Sequence, residues 1–284
     1  MKKLFFYATC LLLLACSSDD DNPQTEGQQP DLRIKKFTQM IYHSDPNDNV
    51  KVVRTFDQSG RPIRESEEYT DNQVYWLFSY NNSDLISERT RHYQDGSKFR
   101  ADEFHYNLNN QIDSLVNKDA QGNIGGVTYY NHSPNKITYH HGLLQGEYNY
   151  NADGIITKIH ANGDFSSSTI TITYSSDNIS QITTQRSTGE TETLSFQYDN
   201  KLNPLHPNFH NNYFNSTIGE FVHFLYKENY FSKNNFTQIN YTHTDPSNNY
   251  TITKNTTYDA DGYPLSAEIK KNNVLVEEQI YEYY

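Results

Sequence analysis

Apolar and polar residues alternate with period two through most of this chain. Val74, Trp76, Phe78 and Tyr80 share one face of an extended segment, as do Ile170, Ile172 and Tyr174, and Leu194, Phe196 and Tyr198. Thr171, Thr173, Thr193, Ser195 and Gln197 fall between them. One apolar face and one wetted face mark an antiparallel sheet. Each run ends on an aromatic residue and enters a short Asn/Asp/Gly turn, as in YNYNADGIITKI from Tyr148 to Ile159. Past the turn the aliphatics come three apart: Ile112 and Leu115, Ile156 and Ile159, Ile179 and Ile182. That break in phase predicts a β-bulge or a sharp twist after each turn.

The aromatic anchors before the turns are Phe56, Tyr80, Tyr106, Tyr130, Tyr150, Tyr174, Tyr198, Tyr258 and Tyr283. Their spacing is 24, 26, 24, 20, 24, 24, 60 and 25 residues. A period near 24 holds two strands of about eight residues and two short turns. The predicted fold is all-β, an antiparallel meander of hairpin repeats curled into a barrel-like or strongly twisted sheet. In Asp57-Gln58-Ser59-Gly60, Asn151-Ala152-Asp153-Gly154 and Asp259-Ala260-Asp261-Gly262, the Asx side chain caps backbone and Gly supplies positive φ. A calcium loop would need alternating ligands and a distal bidentate Glu, which these stretches lack.

The rhythm stops at Asn203-Pro204-Leu205-His206-Pro207, where two prolines end a strand. Thr217 and Glu220 have capping-box spacing, and Phe221, Phe224 and Leu225 follow at helical spacing. One short helix, about Ile218 to Lys227, is therefore expected within an insertion at about 206–235. The repeat resumes with a copy of its opening. Phe-Thr-Gln, a His-x-Asp-Pro turn (His43, Asp45, Pro46; His243, Asp245, Pro246) and Gly-x-Pro recur in Lys36–Ile63 and Asn235–Leu265. Such copies are expected to lie side by side and join the sheet's edges, removing an aggregation hazard.

Composition sharpens this picture. Tyr (24) and Phe (15) are abundant, as suits pleated surfaces. The net charge is −12, and losing Lys2 and Lys3 with a leader makes it −14. Without clustered Lys/Arg, nucleic acid is excluded as a partner. Residues 1–16 read as a signal peptide: a basic start, then an apolar run from Leu4 to Ala15 too short to span a bilayer. Its end, Leu13-Leu14-Ala15-Cys16, resembles a bacterial lipobox, which implies acylation of Cys16 and a lipid-anchored partner membrane. Cys10 leaves with the leader, so no intrachain disulfide is expected. Ser17-Ser18-Asp19-Asp20-Asp21 resembles the export signal of Bacteroidetes-type surface lipoproteins. Residues 17–30 read as an acidic flexible tether, and the repetitive domain as 31–284.

At TFDQSGRPI and TTYDADGYPL the chain resembles YD-repeat (Rhs-type) sequences. The lipobox, acidic tether, 24-residue hairpins and late Asn-Pro insertion together resemble Bacteroidetes outer-membrane lipoproteins whose domain has a porin-like fold. That resemblance covers roughly residues 31–284 and implies a barrel-like sheet at the outer membrane, facing the cell exterior. It carries no catalytic residue across, and Tyr80-Asn81, Tyr130-Asn131 and Tyr174-Ser175 depart from the strict YD pattern.

Chemistry is sparse. His140, His141, His206 and His210 are the suggestive imidazoles, but surface or turn roles suit them better than zinc. No nucleophile elbow, P-loop or metalloprotease helix occurs, and neither catalytic residues nor a cofactor is assigned. Anchor aromatics belong to the core. Trp76 and the off-phase Tyr75, Tyr93, Tyr129, Tyr139 and Tyr230 are the candidate binding residues. The expected function is non-catalytic binding of a glycan or peptide. The alternatives are a structural cell-envelope protein that docks another envelope component, and a hydrolase with a dispersed carboxylate pair.

Overall fold

The chain divides into two units, Met1–Asp31 and Leu32–Tyr284. The computed structural model describes residues 33–152, 154–162, 167–206 and 232–284, all within the second unit. Cys16, His210, Tyr230 and the helix expected at Ile218–Lys227 lie outside the described residues.

Eighteen strands follow one another as a meander. The first six are β1 (Ile34–Ile41), β2 (Val50–Phe56), β3 (Pro62–Glu68), β4 (Gln73–Tyr80), β5 (Ile86–Tyr93) and β6 (Lys98–Tyr106). Then come β7 (Ile112–Asp119), β8 (Ile124–Ser133), β9 (Lys136–His141), β10 (Leu144–Tyr150), β11 (Ile156–Asn162) and β12 (Ser167–Ser175). The last are β13 (Asn178–Arg186), β14 (Thr191–Leu202), β15 (Asn234–His243), β16 (Tyr250–Tyr258), β17 (Pro264–Lys271) and β18 (Val274–Tyr283). Each pairs antiparallel with the next, and β18 pairs with β1 from Ile34↔Tyr283 to Ile41↔Glu277. The sheet is a closed barrel without a free edge.

Closure corrects one sequence expectation. The two copied modules do not pair with each other. The Asn235–Leu265 copy forms β15, β16 and the start of β17, so β17 and β18 separate it from β1. Both copies keep their Asp-Pro corner: Asp45 and Asp245 accept from the backbone N–H two residues on, capping matching 3-10 turns.

The expected bulges are present. Thr55/Phe56, Ser79/Tyr80, His105/Tyr106, Asn149/Tyr150, Thr173/Tyr174 and Thr257/Tyr258 each break register against the returning strand. Tyr150 thus opposes Ile156 while Asn149 opposes Lys158. One extra residue returns Ile159 to the face of Ile156, which explains the three-residue spacing. The turns behave as Asx corners. Asp57 Oδ1 accepts from the N–H of Ser59 and of Arg61 at 2.9 Å each, and Gly60 takes φ +81°.

The anchors do more than fill the core. Tyr80 Oη donates to Pro62 O (2.6 Å), Tyr106 to Ile86 O (2.7 Å), Tyr198 to Ile179 O (2.7 Å) and Tyr283 to Pro264 O (2.9 Å). Each bond joins the ends of two neighbouring strands farthest from their shared turn. There the ladder has already stopped: β3–β4 pairing ends at Arg64↔Leu77 and β5–β6 pairing at Glu88↔Glu103. A hydroxyl therefore satisfies a carbonyl that the splayed ladder leaves open. Between β7 and β8 the donor is not the expected anchor Tyr130 but His132, whose Nε2 donates to Ile112 O at 2.6 Å. Tyr130 lies deeper, in the core.

The inward face carries one continuous buried cluster, including Ile34, Phe37, Ile86, Phe104, Ile159, Ile182 and Tyr281. Outward positions on β12 to β17 include Thr171, Gln181, Thr193, Gln238, Thr253, Asn255 and Glu268, with Leu265 on β17 and Ile280 on β18 as exposed apolar exceptions. A bilayer-spanning barrel reverses this, with an apolar outer band about 25 Å tall. These seven strands present no such band.

These hydroxyl–carbonyl bonds predict a contrast in unfolding of the Leu32–Tyr284 unit by urea. Tyr106→Phe and Tyr198→Phe should each cost about 1 kcal/mol, because a carbonyl is left unpaired. Tyr174→Phe should be neutral, since the buried Tyr174 hydroxyl has no hydrogen-bond partner among the described residues. Equal losses in all three would refute the assignment.

Candidate functional site

Two places gather polar chemistry: the lumen and an outer recess. In the lumen, Asp102 is 0 % exposed and accepts from Arg89 Nε (2.7 Å), Arg100 Nε (2.9 Å) and Asn117 Nδ2 (2.7 Å). Cross-strand register puts these groups together: Arg89 opposes Asp102, which opposes Asn117. Arg54 and Glu65 form a second internal pair. Trp76 sits among three guanidinium carbons, at 4.7 Å (Arg89), 5.2 Å (Arg91) and 5.7 Å (Arg100) from its ring. A fully hydrogen-bonded carboxylate and cation–π contacts offset much of the cost of burying these charges.

This arrangement corrects the reading of Trp76 as a binding residue. It is 9 % exposed and shares the core face with Val74 and Phe78, as its period-two phase requires. Tyr139 also lies on the inward side, yet its ring lines the outer recess described below. It opposes Tyr130 and Gly146 on the inward side and packs 5.3 Å from the Tyr148 ring.

Across the lumen, Lys254 Nζ donates to Tyr281 Oη (3.2 Å) and lies 5.1 Å from the Phe236 ring centre. Tyr281 Oη donates to Gln279 Oε1 (2.6 Å), whose Nε2 donates to Glu277 Oε1 (2.6 Å). A void of about 10 Å³ beside Lys254 and Tyr281 has room for about one water. Burial pulls the Lys254 ammonium down to about 8, while Glu277 and then Asp199 oppose that fall.

The outer recess lies on β9 to β11, where the anchor spacing drops to 20 residues. β9 and β10, of 6 and 7 residues, are joined by the two-residue turn Gly142-Leu143. The recess holds about 400 Å³ and is lined mainly by Thr138, His140, Gln145, Glu147, His160 and Asn162. Register places His140 opposite Gln145, Gln145 opposite Asn162, and Glu147 opposite His160. Gly146 makes the tight layer beneath: a Cβ there would come within 2.5 Å of both His160 O and Tyr139 Oη.

At the edge of the recess, Tyr129 stacks on His140 (centroids 5.1 Å, planes 22° apart) and stays 48 % exposed. His160 Nδ1 meets Thr169 Oγ1 at 2.9 Å. Lys136 Nζ donates to Glu147 at 2.9 Å and Asn149 Nδ2 at 3.1 Å; these bonds hold the Glu147 carboxyl below the usual carboxylate range.

Of the other sequence candidates, Tyr75 faces outward between the Arg64 guanidinium (4.1 Å) and the His92 ring (5.2 Å). Tyr93 is exposed at a turn and stacks on Phe99 at 4.3 Å. Tyr75 and Tyr129 are not brought together, because β5 to β7 lie between their strands. His140 and His141 point to opposite faces of β9, His141 bonding inward to Thr128 Oγ1 at 3.0 Å. Sequence reasoning missed Gln145, Glu147, His160 and Asn162. The short 130-to-150 spacing was the available signal.

No protein-family model matches this chain, and no curated protein matches it. Among solved structures it is similar to a porin-like protein from Bacteroides uniformis: 15 % identity, 88 % of this chain, 96 % of that chain, TM-score 0.45. A porin-like protein from Bacteroides vulgatus is 10 % identical over 89 % of this chain and 99 % of that one, with TM-score 0.38. A crystallised TcdB2–TccC3–Cdc42 chain matches at 9 % identity over 82 % of this chain and 15 % of its own length, TM-score 0.26. The fold assignment rests on the strand pairing itself.

The lumen yields a pH prediction. Lys254 has a lower pKa folded than unfolded, so between about pH 8 and the ordinary lysine value the unfolded chain binds more protons. Stability from this group therefore rises with pH in that window and is weakest below it. Lys254→Met should gain most, relative to wild type, at pH 7, with the difference shrinking by pH 9.5 in paired urea titrations. A difference independent of pH would contradict the assignment.

Proposed function

We propose that this protein is a lipid-anchored outer-membrane lipoprotein, displayed at the cell surface, that binds glycans without catalysing their breakdown. The observation that carries the reading is the exposed Tyr129 ring, stacked on His140 beside a recess lined with planar polar side chains. Sugar rings offer C–H faces to aromatic planes and hydroxyl edges to amides, imidazoles and carboxylates; the recess presents both kinds of group. The anchor follows from Leu13-Leu14-Ala15-Cys16 and the acidic Ser17–Asp21 run. The outer wall of β12 to β18, mostly polar with no continuous apolar band, favours a barrel held at the membrane by its chain over one embedded in lipid. The YD-like corners belong in this reading to the scaffold. The recess holds a single carboxylate, Glu147, whereas glycoside hydrolysis by an acid pair uses two.

A second reading, an envelope component that docks another protein, is favoured by one rim of the barrel. Four successive turns along β3 to β10 carry exposed Tyr69, Tyr93, Ile124, and Leu143 with Leu144. Leu143 is 81 % exposed.

Screening the Leu32–Tyr284 unit on a glycan array, then titrating the best ligand into Tyr129→Ala, separates the readings. Binding weakened about tenfold or more by Tyr129→Ala is expected, since stacking on one aromatic face contributes about 1–3 kcal/mol. No glycan bound, or binding indifferent to Tyr129→Ala, would overturn the glycan reading.

A further inference from the structure

The charge layout of the recess says which glycans it takes, granted the glycan reading above. We infer that it selects uncharged sugars and rejects those bearing carboxylate or sulfate. Glu147 is the only formally charged group among the lining residues, apart from the titratable imidazoles, and no Lys or Arg lines the recess. Of the two lysines opposite Asn149 beside the recess, Lys136 and Lys158, Lys136 is taken up by Glu147 itself in a 2.9 Å ion pair. That pair leaves an anionic acceptor at the recess with its counter-charge already engaged. A sugar hydroxyl can donate to such an oxygen. A uronate or sulfate would bring a second anion to it.

The remaining polar groups also suit neutral hydroxyls. Gln145 and Asn162 oppose each other across β10 and β11, and neither side chain makes a hydrogen bond among the described residues. Each amide offers a donor and an acceptor, the pairing that vicinal hydroxyls, themselves both donors and acceptors, complete. Tyr129 supplies the apolar platform beside them. The excess of acid over base along the chain, −12 in all, adds to the field against anions.

Isothermal titration of the Leu32–Tyr284 unit, which contains every described strand, tests this with matched probes. These are neutral hexose oligosaccharides and the same oligosaccharides oxidised at C6 to uronates. The neutral series should bind about tenfold tighter or more, and Glu147→Gln should narrow that ratio while the unit still binds the neutral series. Uronates binding as tightly as neutral sugars, or a ratio unchanged in Glu147→Gln, would overturn the selectivity and leave the glycan reading standing. No heat of binding from either series would overturn the glycan reading, and this inference with it.

Discussion

The backbone ladder between β1 and β18 removes the two edges that an open meander would expose. An eighteen-strand sheet with free edges offers two rows of unpaired N–H and C=O groups to any neighbouring chain. Joining the ends also fixes which face is inside. With side chains alternating at period two, closure sends Phe37, Ile182 and Tyr281 inward and leaves Thr171, Gln238 and Asn255 in water. Side chains near the join reinforce it: Lys36 pairs with Glu282, Gln39 donates to Glu277, and Tyr42 donates to Glu278.

Much of this was legible in the sequence, because it is local. Period-two alternation, Asx-Gly corners and the three-residue aliphatic spacing each act within a few residues, and each appears as expected. What could not be read depends on partners far apart in the chain. The copied modules suggested that like would pair with like, yet β18 took the place beside β1. The carbonyl that the Tyr80, Tyr106, Tyr198 and Tyr283 hydroxyls each meet lies 18 to 20 residues upstream, so the reason for Tyr rather than Phe at these anchors stayed hidden. Burial also raises the Tyr80, Tyr106 and Tyr283 phenols above their usual range, which keeps them protonated donors.

The candidate site shows where attention to aromatic rings alone misled. Trp76 was named as a ring that could stack on a ligand, although its phase already assigned it to the core beside Val74 and Phe78. Tyr139 sits two residues after Ile137 and is in phase with it. Tyr129 was correctly singled out as facing solvent, but its polar neighbours come from strands paired beyond β8. Only register brings His140, Glu147 and His160 beside it.

Because closure decides inside from outside, and so which residues can meet a ligand, the seam is the most direct place to test the account. Thr38 and Ile280 are directly opposed across it, and the Leu32–Tyr284 unit contains no cysteine. Thr38→Cys combined with Ile280→Cys, oxidised at low protein concentration, should give an intramolecular disulfide in nearly every molecule, seen as faster migration on non-reducing gels. Free thiols, or disulfides formed only between molecules, would contradict a barrel closed by β1 and β18.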